Sequence, residues 1–425
     1  MLLLFALTVI VLLLAGMPVA FALAFSGVLG MFLFLDGSSV LTQVPMIAYK
    51  TLDDFVLTAV PLYVLMSQIL LKGKVGGGLF ELGSKWLGHL PGGLGVATVF
   101  ACAVFAAISG SSVATAVTIG AIAIPEMLKR GYDRELVLGT VAAGGTLGIL
   151  IPPSIPMILY GSITDESVGQ LFLSGVVPGV LLTTMFVTYV VFRSHGKERT
   201  AIASWAERWS VLRENFWGML LPFIVIGGIY TGAFTPTEAA AVGTVYSLII
   251  TFLIYRSVTL FDMPAILEES IKTTSMIFAI MIGAMIFGFI LTVLQLPQAI
   301  MAAVTDSGLS RWLIFFGINC VLLVLGCMLE TVSIILITLP ILYPVIRHLG
   351  FDLIWFNVVL LINMELALIS PPIGMNLFVI KGISPDSSIR QIIRGAAPFA
   401  LIMIAEIALL CFIPELATWF PRMMK

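Results

Sequence analysis

LGVATVFACAVFAAISGSSVATAVTIGAIAIP (94–125) and KRGYDRELVLGTVAAGGTLGILIPPSIP (129–156) decide how this chain is read. In the first, two apolar runs meet at Ser109–Gly110–Ser111–Ser112. In the second, a long apolar run breaks at Ile151–Pro152–Pro153–Ser154. The pattern returns near the C-terminus with changed side chains. Pro125, Asp133, Pro152 and Pro153 recur as Pro344, Asp352, Pro371 and Pro372, each 219 positions on. Pro45 and Pro264 keep that spacing, and Gly175 and Pro178 return as Gly395 and Pro398 with a slip of one residue. Residues that constrain the backbone, in register over most of the chain, mark two structural repeats, 1–192 and 218–425, joined by 193–217.

Composition names the solvent of these repeats. Of 425 residues, 60% are apolar and 10% charged, where a soluble domain carries about 25% charged residues. So little charge cannot cover a globular surface, and lipid takes the place of water. The fold class is therefore all-α and polytopic, embedded in a bilayer. A net charge of −2 gives nucleic acid no electrostatic footing as a partner. Cys102, Cys320, Cys327 and Cys411 lie in apolar runs without CxxC or Cys/His spacing, which suits packing rather than disulfides or metal. Met1–Ala15 has no basic residues before its apolar run, so it is expected to be a first span and not a cleaved leader.

The runs on either side of Ser109–Ser112 hold 15 and 16 residues. That is about 22–24 Å of helix, short of a comfortable crossing. The expected structure is a re-entrant helical hairpin over 94–128, with its mate over 312–346. Broken helices are expected over 135–161 and 354–380. If both hairpins return to the side they entered, 16 of the 21 Lys and Arg residues share one side of the membrane. If each hairpin crosses, the split is 14 against 7. Basic residues mark the cytoplasmic side, so the first arrangement puts both termini outside, in the periplasm. Each half then makes five crossings plus one hairpin. An odd count inverts the second half relative to the first, a build common among secondary transporters.

Ser39–Asp54 and Val258–Thr273 contain the matched Pro45 and Pro264 and are too polar to span. They are expected to be interfacial arm helices. Residues 193–217, with Trp205, Trp209 and Trp217 among charges, are expected to form a cytoplasmic interfacial connecting helix.

Unpaired backbone groups are tolerated in a bilayer only where they line a cavity or meet a ligand. Four matched places break the helices here: the tips Ser109–Ser112 and Met328–Thr331, and the Pro-Pro breaks near Thr146–Ser154 and Glu365–Pro372. Freed carbonyls suit a hard cation such as Na⁺, and freed N–H groups at helix N-termini suit a carboxylate. One Na⁺ is expected at Ser109, Ser112, Gly145 and Gly148, and another at Met328, Thr331, Met364 and Ala367, so two or more ions in all. An anionic substrate is expected between the tips, met by Ser111, Ser112, Ser154, Thr331 and Asn376. Packing is the competing role for each of these small polar residues.

Intramembrane acids are costly and therefore candidates for function. Glu330 lies at the second tip and Glu365 in the second break, either as a proton or ion group or as a structural acceptor. Glu238 after Thr235–Pro236–Thr237 reads as a helix cap, and Glu406 has no evident partner. His89, His195 and His348 are placed in loops. Gly76–Gly77–Gly78 is placed in a loop without a phosphate-binding pattern. No nucleophile, zinc or dinucleotide motif appears, which argues against an enzyme. An intramembrane acyl or phosphoryl transferase would need histidine beside these acids within the bilayer. A channel would show no sodium-coupled uptake.

Ser109–Gly110–Ser111–Ser112, Ala123–Ile124–Pro125, Gly131–Tyr132 and Gly144 to Ser154 resemble the large membrane subunit of the tripartite ATP-independent periplasmic (TRAP) transporters. Leu339–Pro340, Pro344, Ser370 to Gly374 and Gly395 extend the resemblance over nearly the whole chain. In its general run the sequence is similar to the sialic-acid members. The resemblance implies a small four-helix membrane subunit on a separate chain, a periplasmic substrate-binding protein, and a place in the bacterial inner membrane. It also implies sodium-driven import of an organic acid, of the sialic acid or C4-dicarboxylate class, by an elevator movement. A stand-alone sodium/dicarboxylate symporter is the alternative. The second tip, with Glu330, is poorer in serine than the first, which puts symmetric substrate contacts in doubt.

Overall fold

The apolar runs become helices whose ends are set by Pro, Gly and capping residues. The structure is a computed structural model describing residues 2–35, 37–194 and 202–423, and among these there is no strand. The first half begins with α1 (Leu2–Leu14), α2 (Val19–Phe34) and α3 (Gly37–Leu52), then a 3-10 turn (Phe55–Thr58) leading into α4 (Ala59–Lys72). It continues with α5 (Val75–Leu87), α6 (Gly93–Ser109), α7 (Ser112–Lys129), α8 (Arg134–Leu150), α9 (Ile155–Thr164) and α10 (Val168–Arg193). The second half has α11 (Trp205–Tyr230), α12 (Pro236–Ile249) with a π turn to Ile254, α13 (Met263–Val293), α14 (Leu296–Asp306) and α15 (Arg311–Gly326). It ends with α16 (Thr331–His348), α17 (Leu353–Leu368), α18 (Met375–Ile383), α19 (Ile389–Phe412) and α20 (Glu415–Arg422). Among the described residues, eight helical stretches are long and apolar enough to cross a membrane.

The spacing of 219 survives as structure. Both ends of α16 lie 219 positions after those of α7, and α17 starts 219 after α8. Asp133 and Asp352 begin α8 and α17 as caps. Asp133 accepts the Leu136 N–H at 3.2 Å, and Asp352 accepts those of Ile354 and Trp355 at 2.9 and 3.0 Å. Two residues before each cap, Gly131 and Gly350 turn with φ of +75° and +74°, where a side chain would be strained. Both Pro-Pro bonds are cis.

Several elements depart from expectation. The hairpin arms have 17 and 18 residues in the first half and 16 and 18 in the second. At 18 residues each, about 27 Å, α7 and α16 are long enough to cross, so length alone does not distinguish a hairpin from two spans. The second arm, 258–273, is no separate helix, because α13 runs unbroken from Met263 to Val293. In the first half Asp54 caps a new turn by accepting the Val56 N–H at 2.9 Å, whereas its mate Thr273 starts none. The connecting helix is likewise continuous with the next span, as α11. His195 and the rest of 195–201 lie outside the described residues. Gly76–Gly77–Gly78 sits inside α5 and not in a loop. A Cβ on Gly76 would lie 2.5 Å from Thr118, and one on Gly78 would lie 1.7 Å from Asn215, so these glycines let α5 press against α7 and α11.

Two packing groups result. In a flanking bundle, α1–α4 pack with α11–α13, and α2 crosses α13 where a Cβ on Gly283 would meet the Ala20 carbonyl at 2.5 Å. In a tip-bearing bundle, α6–α10 pack with α15–α20. Its centre is α8, which crosses α19 so closely that a Cβ on Gly139 would lie 2.0 Å from the Gly395 carbonyl. Along the seam between the bundles, α4 and α13 face α9 and α16.

Candidate functional site between two helix tips

Each tip rests on the break of its own half. At the first, α6 ends in Gly110 (φ +58°), and the extended residue Ser111 starts α7. Here the fit is backbone to backbone. A Cβ on Gly148 would lie 2.6 Å from the Ser111 carbonyl oxygen, and one on Gly110 would lie 2.7 Å from that of Pro153. A Cβ on Gly145 would lie 2.7 Å from the Ala116 methyl and 3.1 Å from its Cα. The structure thus brings Ser109, Ser112, Gly145 and Gly148 together. Ser109 Oγ and Thr115 Oγ1 are 3.0 Å apart, and Thr115 Oγ1 donates to the Ser111 carbonyl at 2.8 Å. The donor set is all oxygen, which fits sodium.

The second tip is built differently. Gly326 gives the close approach, since its Cβ would lie 2.5 Å from Ala367 and 3.6 Å from Met364. The Cys327 carbonyl accepts the Gly374 N–H at 3.3 Å, tying tip to break. Met364 and Ala367 therefore sit under Gly326. Met328 turns outward with 52% of its surface exposed, and Thr331 is buried. The Ala367 carbonyl already accepts the Ser370 N–H at 3.1 Å. This second set offers fewer converging oxygens than the first.

A cavity of about 390 Å³ lies on the seam and joins the two tips. Ser111, Ser112 and Thr331 line it, as expected, and so does Glu330. The first residues of four helices reach it: Ser112 of α7, Ile155 of α9, Thr331 of α16 and Met375 of α18. From the flanking bundle come Ser67, Gln68 and Thr273, which sequence reasoning missed. The available signal was a polar side chain inside the apolar run Val64–Leu71. A larger cavity, about 480 Å³, lies along the seam beside Lys50 and Asp54. Neither tip reaches it, so the smaller cavity is the candidate site.

Ser154 and Asn376 do not line this cavity, although their neighbours Ile155 and Met375 do. Asn376 crosses between halves instead, donating to Ser112 Oγ at 2.8 Å and to the Ala142 carbonyl at 3.2 Å. Its own Oδ1 and the Ser154 hydroxyl are buried without a hydrogen-bond partner among the described residues. Glu365 makes a second cross-tie, accepting the Leu150 N–H at the end of α8 at 3.1 Å. Asn363 faces away and donates to Asn319. Glu238 and Thr235 form a reciprocal capping box, as the cap reading expects. Glu406 is fully buried, and among the described residues neither carboxylate oxygen has a hydrogen-bond partner. His89 lies in the turn after α5, and His348 ends α16 beside Thr305.

Residues 6–416 match the family model described as "Tripartite ATP-independent periplasmic transporter, DctM component". The chain is 40% identical to the C4-dicarboxylate TRAP transporter large permease protein DctM of Pseudomonas aeruginosa, covering 94% of each. It is 33% identical to the sialic acid TRAP transporter large permease protein SiaM of Vibrio cholerae, covering 97% of this chain and 96% of that one. The resemblance is thus not particular to sialic-acid members. Among solved structures, the YdaH transporter of Alcanivorax borkumensis aligns with a TM-score of 0.59 at 15% identity, covering 90% of this chain and 89% of that one. That likeness speaks for the fold alone.

Proposed function

This chain belongs to the DctM-component family of the tripartite ATP-independent periplasmic transporters, and from that premise we propose that it is the large membrane subunit of a sodium-driven importer of an organic acid anion. Like its permease relatives, it is a transport subunit and not an enzyme.

One observation carries the reading: four helix N-termini reach the cavity between the tips, and among the described residues no Lys, Arg or His lines it. Helix N-termini carry partial positive charge and free N–H groups, so they receive a carboxylate without a basic side chain. Sodium, when bound, supplies the remaining positive charge. Ser109, Ser112, Gly145 and Gly148 would hold one ion, and Met328, Thr331, Met364 and Ala367 the other. Ser111 and Thr331 orient the anion, while Asn376 holds Ser112 in place.

In this reading the repeats are inverted, both termini face the periplasm of the bacterial inner membrane, and the hairpins are re-entrant. The tip-bearing bundle moves as a block along the flanking bundle, and the site lies on the seam between them. A separate small membrane subunit braces the flanking bundle, and a periplasmic binding protein delivers the acid, in the C4-dicarboxylate or sialic acid class. Uptake by the reconstituted subunits tests this. Uptake should require both an inward sodium gradient and the loaded binding protein. Sodium-independent uptake would overturn the reading, and uptake without any binding protein would favour a stand-alone symporter.

A further inference from the structure

The cavity has two unlike ends. At the first tip, Ser111 to Ala114 line it, with Ser111 capping by a hydroxyl that accepts the Ala114 N–H at a long 3.4 Å. The early N–H groups of α7 there remain open to a ligand anion. At the second tip the N-cap position belongs to Glu330, whose backbone is extended (φ −76°, ψ 147°). Its carboxylate lies beside the N–H groups of Val332 and Ser333 without forming a regular capping bond. The place an anion would take at α16 is thus held by the protein's own acid. Glu330 is also the single ionisable side chain on the cavity wall among the described residues. Gln68, Ser67 and Thr273 line the same cavity from the flanking bundle.

Resting on the reading that an organic acid occupies this cavity, we propose that its substrate is a monocarboxylate carrying hydroxyl or ammonium groups at the far end, and not a dicarboxylate. The carboxylate meets the start of α7. The far end donates hydrogen bonds to Glu330 and exchanges them with Gln68. A second carboxylate placed there would face Glu330, whose charge offsets that of an ion held at Met328 and Thr331 and whose carboxylate already occupies the start of α16, so a dicarboxylate is rejected by repulsion as well as by lost bonds. A relative's transport of C4-dicarboxylates therefore does not carry over through sequence identity alone.

Three six-carbon acids test this against the full chain with its partner membrane subunit in lipid nanodiscs at saturating sodium: gluconate, adipate and hexanoate. Hydrogen bonds to a charged group are each worth about a tenfold to hundredfold in affinity. Gluconate should therefore bind at least about tenfold more tightly than either adipate or hexanoate. Glu330→Gln should narrow the gluconate-to-adipate ratio by tightening adipate and weakening gluconate. Glu330→Asp, which keeps the acid, should preserve the order and checks that the site still folds. Adipate binding as tightly as gluconate to the native protein would overturn the proposal, as would a ratio unmoved by Glu330→Gln. If no acid binds in the presence of sodium, the proposed function itself fails, and this inference with it.

Discussion

The two tips solve one packing problem with the small residue on opposite sides. In the first half the glycines, Gly145 and Gly148, are on the broken helix, and the hairpin residue at the matching place is Ala107. In the second half the hairpin carries Gly326, and the broken helix carries Met364 and Ala367, each 219 positions after Gly145 and Gly148. The consequence is chemical. With glycine on the broken helix, the peptide groups of tip and break come within contact of one another, and the Ser111 carbonyl, which already accepts from Thr115, lies against Gly148. With alanine and methionine there, their side chains fill the approach at Gly326, tip and break meet through the Gly374 N–H on the Cys327 carbonyl, and Glu330 faces the cavity in place of a serine. Matched scaffolds thus present two chemically different tips to one cavity, one lined by serine and one carrying Glu330.

The strongest way to break this comparison is to fill the first approach. Gly148→Val puts methyl groups where even a Cβ lies 2.6 Å from the Ser111 oxygen. Overpacking of this kind typically costs about 1–3 kcal/mol, so sodium-dependent uptake per embedded molecule should fall about tenfold to hundredfold. Ala367→Gly at the matched position loses helix propensity of about 1 kcal/mol and should leave uptake within severalfold of native. Equal responses would show that the two tips are equivalent after all.

Asn376→Ala should come next. It removes the bond to Ser112 and leaves that hydroxyl without its buried donor, a loss of about 1–3 kcal/mol. The sodium concentration for half-maximal uptake should rise by about a factor of ten, while the matched Met157→Leu, at a side chain without an amide to make such a tie, should change little. Smaller again is the pair Ser111→Ala and Thr331→Ala. Losing the Ser111 cap costs about 0.5–2 kcal/mol, and uptake should fall severalfold, more for Ser111 than for Thr331. Should neither change uptake, neither tip meets the substrate.

The smallest difference concerns places where the halves agree. Asp133→Ala and Asp352→Ala each remove a helix cap worth about 0.5–2 kcal/mol. Thermal unfolding of the purified protein should show both losses. The loss should be slightly larger for Asp352, which accepts two N–H groups where Asp133 accepts one.

Much of this architecture was legible in the residues. Pro152, Pro153, Pro371 and Pro372 break helices because two adjacent residues lack an N–H, whereas the single prolines Pro125, Pro178, Pro344 and Pro398 stay inside continuous helices. The arms and connectors were less legible. Whether 258–273 stands alone or continues into the next span depends on Thr273 failing to cap, which an apolar pattern does not reveal. Gly76–Gly77–Gly78 looked like a turn because glycine serves turns and close helix contacts alike, and only the presence of Thr118 and Asn215 tells them apart.

By itself, the sequence determined that the chain is helical and lipid-solvated, that it repeats at 219 positions, and where its helices break. These follow from side-chain hydropathy and backbone chemistry, which act locally. Only the tertiary structure decided what each break faces. Asn376 reaches Ser112 across 264 positions and Glu365 reaches Leu150 across 215, while Gln68 and Thr273 complete a cavity begun by two distant tips. Such pairings are set by how packed helices cross, and a close approach of two backbones leaves little trace in either segment read alone.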